Sequence, residues 1–326
     1  MFTVDCQSHL FPQAYAEILC SNKGWVRTEK TDSGYIIRYG DIQNFDLKLE
    51  SYDPQKKLED MNSSGIDVSV LSVNMPGPEV LDENLAMEGA QVCNDYVASI
   101  VAGNPKRFAG IASVPLGHPV YMMEEYKRAI HKLGLCGILL FSHIKGQPVD
   151  SASMEELYTQ AEKDEIPLVF HPTVPVWGEV LRDYQMVPMF GLMIDTSIAM
   201  LRLILGGVLE RHPKLLIVHP HCGGVLPYLM PRIEEQTEVK RRGRENIKRP
   251  PGEYYRNVYL DMTSPSTLAM DYAYRFSQPD RLLFGSDHPW VKIDLLKQCI
   301  LSLDIKDTDK ALIMGENARK LFRLSM

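Results

Sequence analysis

Along the chain, short runs of β-branched and aliphatic residues recur between longer stretches whose apolar positions fall at helical spacing. The runs are FTVDC, VSVLSV, FAGIASV, CGILLF, PLVFH, LLIVH, VYLDM and RLLFGS. A strand covered on one face alternates apolar with polar, whereas a parallel strand buried on both faces is continuously apolar. These runs are of the second kind, and eight of them separated by helices predict an α/β fold, the (β/α)8 TIM barrel. Two regions depart from the alternation. Residues 23–49, KGWVRTEKTDSGYIIRYGDIQNFDLKL, alternate polar with apolar around Asp32-Ser33-Gly34, which predicts a small β-hairpin inserted after the first strand as a lid or flap. The stretch EEQTEVKRRGRENIKRPPGEYYRN is highly charged and ends in Pro250-Pro251-Gly252, which predicts a solvated helix and loop between strands six and seven.

With 326 residues, 45% of them hydrophobic, the chain can bury one large core, so a single domain over residues 1–326 is expected. Its 35 basic and 42 acidic residues give a net charge of −7 without a basic stripe, which argues against nucleic acid as a partner. The most apolar long stretch, MFGLMIDTSIAMLRLILGGVLE, carries Asp195 and Arg202, both costly in lipid, and reads as a buried core helix; no membrane is expected. Neither a basic leader nor a signal-length apolar run opens the sequence, and the expected location is cytoplasmic. Cys6, Cys20, Cys93, Cys136, Cys222 and Cys299 form no C-x-x-C pair, as suits a reducing compartment; Cys6 and Cys136 read as small core residues.

Four polar side chains stand at the ends of predicted strands: His9 after the first, His171 closing PLVFH, His221 after LLIVHP and Asp287 after RLLFGS. In a barrel every parallel strand delivers its C-terminal end to the same rim, so these positions converge. Imidazoles and a carboxylate together suit a borderline divalent cation, Zn²⁺ or Mn²⁺. Taken singly, each has a structural reading as well. His131, His143 and His212 read as hydrogen-bonded structural residues, His219 as either packed or supporting the site from behind, and Asp287 alone as a helix N-cap before Pro289.

The motifs VDCQSHLFP, PLVFHP, GGVLERHPKLLIVHPHCGGVLPYLMPRI, LLFGSDHPW and MGENARKLF occur in this order over nearly the whole chain. In them the sequence resembles the aminocarboxymuconate-semialdehyde decarboxylase family, the decarboxylase branch of the amidohydrolase superfamily. The resemblance implies a mononuclear divalent metal and non-oxidative decarboxylation of an unsaturated or aromatic carboxylic acid. Carried over position by position, it assigns Gln7 and His9 to the first-strand metal pair, His171 to the ligand after strand five and Asp287 to the ligand after strand eight. It assigns His221 to the acid/base histidine, and Arg232 to an arginine that reaches a substrate carboxylate, sometimes in the neighbouring subunit of a homodimer. Arg232 also has a plain reading as a surface ion-pair partner.

Gln7 is the departure. A neutral amide oxygen is a weaker ligand than imidazole or glutamate, so metal affinity is expected to be reduced. Gln7 either binds the metal through that oxygen or hydrogen-bonds a metal-bound water or the substrate; a metal-free site is the remaining alternative. His9, His171 and Asp287 still supply three ligands, enough for a catalytic zinc. Decarboxylation needs an acceptor for the electron density left by CO₂ and a proton for the same carbon; His221 and Asp287 are both candidates for its delivery. Two competing readings share this rim: a metal-dependent hydrolase of a lactone or amide, and a non-catalytic ligand-binding barrel with a decayed site.

Overall fold

The computed structural model describes residues 1–324. Strand β1 (Val4–Leu10) leads into an excursion of three strands, β2 (Val26–Thr31), β3 (Gly34–Tyr39) and β4 (Gln43–Leu47), before β5 (Val68–Val73), β6 (Phe108–Gly110) and β7 (Ile138–Phe141). A two-stranded ribbon, β8 (His143–Ile144) and β9 (Gln147–Pro148), precedes β10 (Leu168–His171), β11 (Ile217–His219), β12 (Tyr259–Asp261) and β13 (Leu282–Leu283). The eight apolar runs of the sequence are β1, β5, β6, β7 and β10 to β13, and they pair in parallel in that order. Every residue of β1, β5, β7 and β10 is buried, the condition that makes such strands read as continuous apolar runs.

Two seams close the barrel. Between β1 and the last strand, Cys6 N donates to Phe284 O (2.9 Å), His9 N to His288 O (2.8 Å) and Asp287 N to Gln7 O (2.8 Å). Between the stretch after β6 and β7, Ala112 N donates to Gly137 O and Leu139 N to Ala112 O, both at 2.8 Å. Side chains cross the first seam as well, since the buried Asp5 carboxylate accepts from Ser286 N (2.8 Å) and Ser286 Oγ (2.6 Å).

Three sequence expectations change. The insertion is a three-stranded antiparallel sheet, not a hairpin: β2 and β3 turn at the predicted Asp32-Ser33-Gly34, but the chain turns again at Gly40 and adds β4. Gly34 sits at φ 140°, and a Cβ there would lie 2.4 Å from Leu47 O, so the residue must be glycine for β4 to pack. His9 lies within β1, which runs on to Leu10, and does not follow the strand. Asp287 caps no helix; it takes a left-handed backbone conformation (φ 58°) just past β13.

Residues 183–205 are long and apolar enough to span a membrane, yet half of the most apolar window is buried inside this fold. Asp195 within it is buried and accepts from Trp177 Nε1 (2.9 Å) and from Ser142 Oγ. Arg202 pairs with Asp150 at 2.7 Å. The helix Leu192–Leu205 buries one face, with Met200, Leu203 and Ile204, while Ile198 on the other is exposed, so it is half-buried rather than the buried core helix expected from the sequence.

Candidate active site

The barrel topology brings His9, His171 and Asp287 together: one candidate ligand atom from each lies within 4.8 Å of the others. The two imidazole rings meet edge-on, with centroids 4.7 Å apart. Each is anchored by the nitrogen that faces away from the cluster. His171 Nδ1 donates to Pro172 O (2.7 Å), and His9 Nδ1 lies 3.0 Å from Ser72 Oγ on the neighbouring strand. That leaves both Nε2 atoms for the cluster, the arrangement that orients imidazole ligands on a metal. His9 Nε2 is 3.0 Å from Asp287 Oδ1. Burial, with His9 alongside, pushes His171 down to about 3, so its ring is neutral with a free lone pair at physiological pH. Burial alone would raise the Asp287 carboxyl, but contacts from His221 and His9 outweigh it and hold the group well below the usual carboxylate range. Two imidazole donors and one carboxylate fit a single borderline divalent ion.

His221 stands beside this cluster, with Nε2 3.8 Å from Asp287 Oδ2. Its backbone is left-handed at φ 58°, followed by Cys222 at φ 56° and two positive-φ glycines, Gly223 and Gly224. Non-glycine residues adopt this conformation at a cost and hold it only where neighbours impose it. The restraint is Asp261, at the end of β12. Its buried Oδ1 accepts from His221 N (2.7 Å) and from Thr263 N (3.0 Å). Burial would lower the His221 pKa; the Asp287 and Asp261 carboxylates overcome it and raise the imidazole above its ordinary value. His221 Nδ1 is buried without a hydrogen-bond partner among the described residues.

Gln7 lies on β1 two residues before His9, where its Oε1 accepts from Thr263 Oγ1 (2.9 Å) and its Nε2 has no partner among the described residues. Turning the amide over would let Nε2 donate to Thr263 Oγ1 and put the oxygen where Nε2 now stands. Gly285 makes room for this layer: a Cβ there would lie 2.8 Å from Thr263 Oγ1 and 3.1 Å from Gln7 Cβ.

A cavity of about 730 Å³ opens over the cluster, lined by His171, His221 and Asp287 with Asn74, Thr263, Tyr228 and Tyr272. Its remaining wall is mostly apolar, including Phe45 from the inserted sheet, Phe190 and Trp290, and it holds no lysine or arginine. Arg232 is not brought here. It is exposed on the helix Leu226–Glu234 and borders a separate outward groove of about 480 Å³ with Ile194, Ile198, Leu201 and Leu229. Of the two routes the sequence left open for Arg232, the one within its own chain is closed, because the helix carries the side chain to the outer face.

His219 lies within β11 with Nδ1 2.7 Å from Tyr255 Oη, and burial pushes it down to about 3. His212 is tied to Glu155 (2.9 Å) and His131 lies 3.4 Å from Asp164. Sequence reasoning missed Asp261, although a carboxylate closing the apolar run VYLDM was its visible signal. It also missed Lys57, which is buried below the rim with Nζ 2.7 Å from both Ser8 Oγ and His288 Nδ1. Burial lowers Lys57 to about 7 and raises the nearby Asp5 to about 6.

A closed parallel barrel with imidazole and carboxylate ligand groups converging on its C-terminal rim defines a barrel enzyme with a candidate metal centre. The chain belongs to the amidohydrolase family, whose model matches residues 4–324. A gamma-resorcylate decarboxylase of Rhizobium sp. is 31% identical over 299 residues, covering 87% of this chain and 88% of that protein. A 2-amino-3-carboxymuconate-6-semialdehyde decarboxylase of Dictyostelium discoideum is 27% identical over 98% of this chain and 91% of its own. A solved 2,6-dihydroxybenzoate decarboxylase, complexed with 2,6-dihydroxybenzoate, superimposes with a TM-score of 0.85 at 25% identity and covers 99% of both chains.

Proposed function

We propose that this protein is a metal-dependent, non-oxidative decarboxylase of a small aromatic or muconate-type carboxylic acid. The observation that carries this reading is the placement of His221 beside the His9, His171 and Asp287 cluster under a largely apolar cavity. His9, His171 and Asp287 would hold one Zn²⁺ or Mn²⁺, with Gln7 as a further oxygen ligand or as a hydrogen-bond partner of the substrate. The bound cation would supply Lewis acidity to a carboxylate or phenolate oxygen of the substrate.

The chain's own groups supply the rest. The carbon to carboxylate bond breaks, CO₂ departs, and the electron pair stays on the ring carbon, where a proton must arrive. His221 is the candidate donor, because it lines the cavity and Asp261 fixes its backbone. Asp287 Oδ2, 3.8 Å from His221 Nε2, orients the ring and is the alternative carrier of that proton. The apolar wall with Phe45, Phe190 and Trp290 suits a flat ring and keeps water from the reacting carbon.

With no cationic side chain in the cavity, a substrate carboxylate beyond the metal's reach needs a charge from elsewhere. Arg232 is exposed beside an apolar groove and would supply it across a two-fold homodimer interface, to the partner's cavity. A cytoplasmic location agrees with six free cysteines.

The test is direct. The protein loaded with zinc or manganese is incubated with 2,6-dihydroxybenzoate and related hydroxybenzoates, and products are read by mass and by released CO₂. Loss of CO₂ is expected. A product that has gained water would replace this reading with hydrolysis of a lactone or amide.

A further inference from the structure

A second cavity, of about 270 Å³, lies between the inserted sheet and the barrel rim and shares no lining residue with the first. Its wall includes Trp25 and Tyr39 from the sheet, Glu79 and Asp82 from the segment after β5, and Lys145 and Thr173 from the barrel side. Glu79 is the unusual member. It is 1% exposed, and neither of its carboxylate oxygens makes a hydrogen bond of good geometry among the described residues, the backbone N–H groups of Gly77 and Glu79 approaching it only loosely. Gly77 makes space for it, since a Cβ there would lie 2.4 Å from Glu79 Oε2. The fully buried Tyr39 hydroxyl, on the inserted sheet, likewise makes no hydrogen bond of good geometry among the described residues, with only the Thr173 side chain near it. Buried polar groups are nearly always paired, and a carboxylate with both oxygens unpaired is the costliest exception.

The charges that face the cavity decide what would pair them. Lys145 stands in the β8–β9 turn, at φ 49° followed by Gly146 at φ 83°, and its Nζ is already committed to Leu81 O. His143 also lines the wall, but both of its ring nitrogens are already engaged, Nε2 with Val174 O (3.0 Å) and Nδ1 with Gly146 N (3.2 Å). Asp82 at the edge adds a second carboxylate to that of Glu79, against the single charge of Lys145. With Glu79 ionised the surplus is negative, and the walls beside it are aromatic: the Trp25 and Tyr39 rings meet edge-to-face with centroids 5.6 Å apart. A carboxylate needing donors next to aromatic rings is the chemistry that holds an ammonium group. A hard metal ion is a poorer occupant, because one buried carboxylate and a phenol fall well short of its oxygen shell.

We propose that this cavity is a second small-molecule site, for a small protonated amine whose ammonium group is held by Glu79 and the Tyr39 hydroxyl. At roughly 30 Å³ per water the space equals about nine waters, enough for an amine carrying one small ring. Contact with the active site runs through the inserted sheet, where Tyr39 packs edge-to-face on Phe45, a wall residue of the first cavity.

The experiment is calorimetric titration of the whole protein with benzylamine and butylamine, each against its uncharged alcohol. At least one amine is expected to bind at millimolar concentration or better, and its alcohol about tenfold or more weakly. Glu79→Gln, which keeps the shape and removes the charge, should weaken the amine about 10- to 100-fold. Tyr39→Phe should weaken it by a smaller factor, and His221→Asn, which alters only the first cavity, should bind it as the parent does. Thermal melting of each variant confirms that it is folded; if Glu79→Gln is not, Tyr39→Phe carries the test alone. Three results would overturn the proposal: no heat from either amine up to about 10 mM, equal affinity for amine and alcohol, or unchanged affinity in the folded variants.

Discussion

The unpaired carboxylate of Glu79 makes a prediction about stability that needs no ligand. Burial raises its pKa from 4.5 to about 8, with only small relief from nearby backbone groups and Lys145. A group whose folded pKa lies above its unfolded one contributes its full stability below the unfolded pKa, and that stability is lost as pH rises through the folded pKa. For Glu79 the window runs from about pH 4.5 to about pH 8. Within it each pH unit costs at most about 1.4 kcal/mol, which sets a ceiling of roughly 5 kcal/mol on the whole effect. Glu79→Gln removes the titration and keeps the shape. Urea denaturation of both proteins between pH 5 and pH 8 should therefore show a stability difference that moves in favour of the variant, by about 3 kcal/mol over that range. Comparing the two proteins cancels the other buried titrating pair, Asp5 and Lys57, which is common to both. A difference that stays flat from pH 5 to pH 8 would mean that Glu79 is paired or hydrated in solution, and the reasoning would fail.

The rim supports three further expectations. Gln7→His should tighten zinc binding by about 10- to 100-fold in competition with a chelator, since imidazole donates better than an amide; unchanged or weaker binding would place Gln7 away from the ion. His221→Asn should keep the metal and lower turnover about 10²- to 10⁴-fold, while His171→Ala loses the metal by elemental analysis; the reverse pattern would mean that ligand and proton donor have been exchanged. Inactive His221→Asn subunits mixed with inactive Arg232→Ala subunits should regain activity, because one site of the mixed dimer is then intact; verified subunit exchange without recovery would remove Arg232 from the site.

What the sequence made legible follows from what is local in it. The barrel could be read because strands buried on both faces are continuously apolar, and the convergence of His9, His171 and Asp287 followed from parallel topology alone. The third strand of the insertion was not legible. QNFDL buries only its first and last residues, Gln43 and Leu47, and offers too short an alternation to stand out. Which cavity Arg232 serves was not legible for a related reason: helical spacing places it on the helix Leu226–Glu234 but does not say which face turns outward.

The least legible features are those that shape the site. His221 and Asp287 both hold left-handed backbone conformations, and although His and Asp adopt them more often than most non-glycine residues, the residue type alone does not announce one. Each is restrained by a group far away in the chain, His221 by the Asp261 carboxylate and Asp287 by the Gln7 carbonyl across the barrel seam. The same logic sets Glu79 apart. Asp261 is buried with two backbone donors on Oδ1, so its burial is explained by the turn it holds. Glu79 is buried as deeply, yet neither of its oxygens makes a hydrogen bond of good geometry among the described residues. A charged group that organises its surroundings accounts for its own desolvation; one that organises nothing points to a partner from outside the fold.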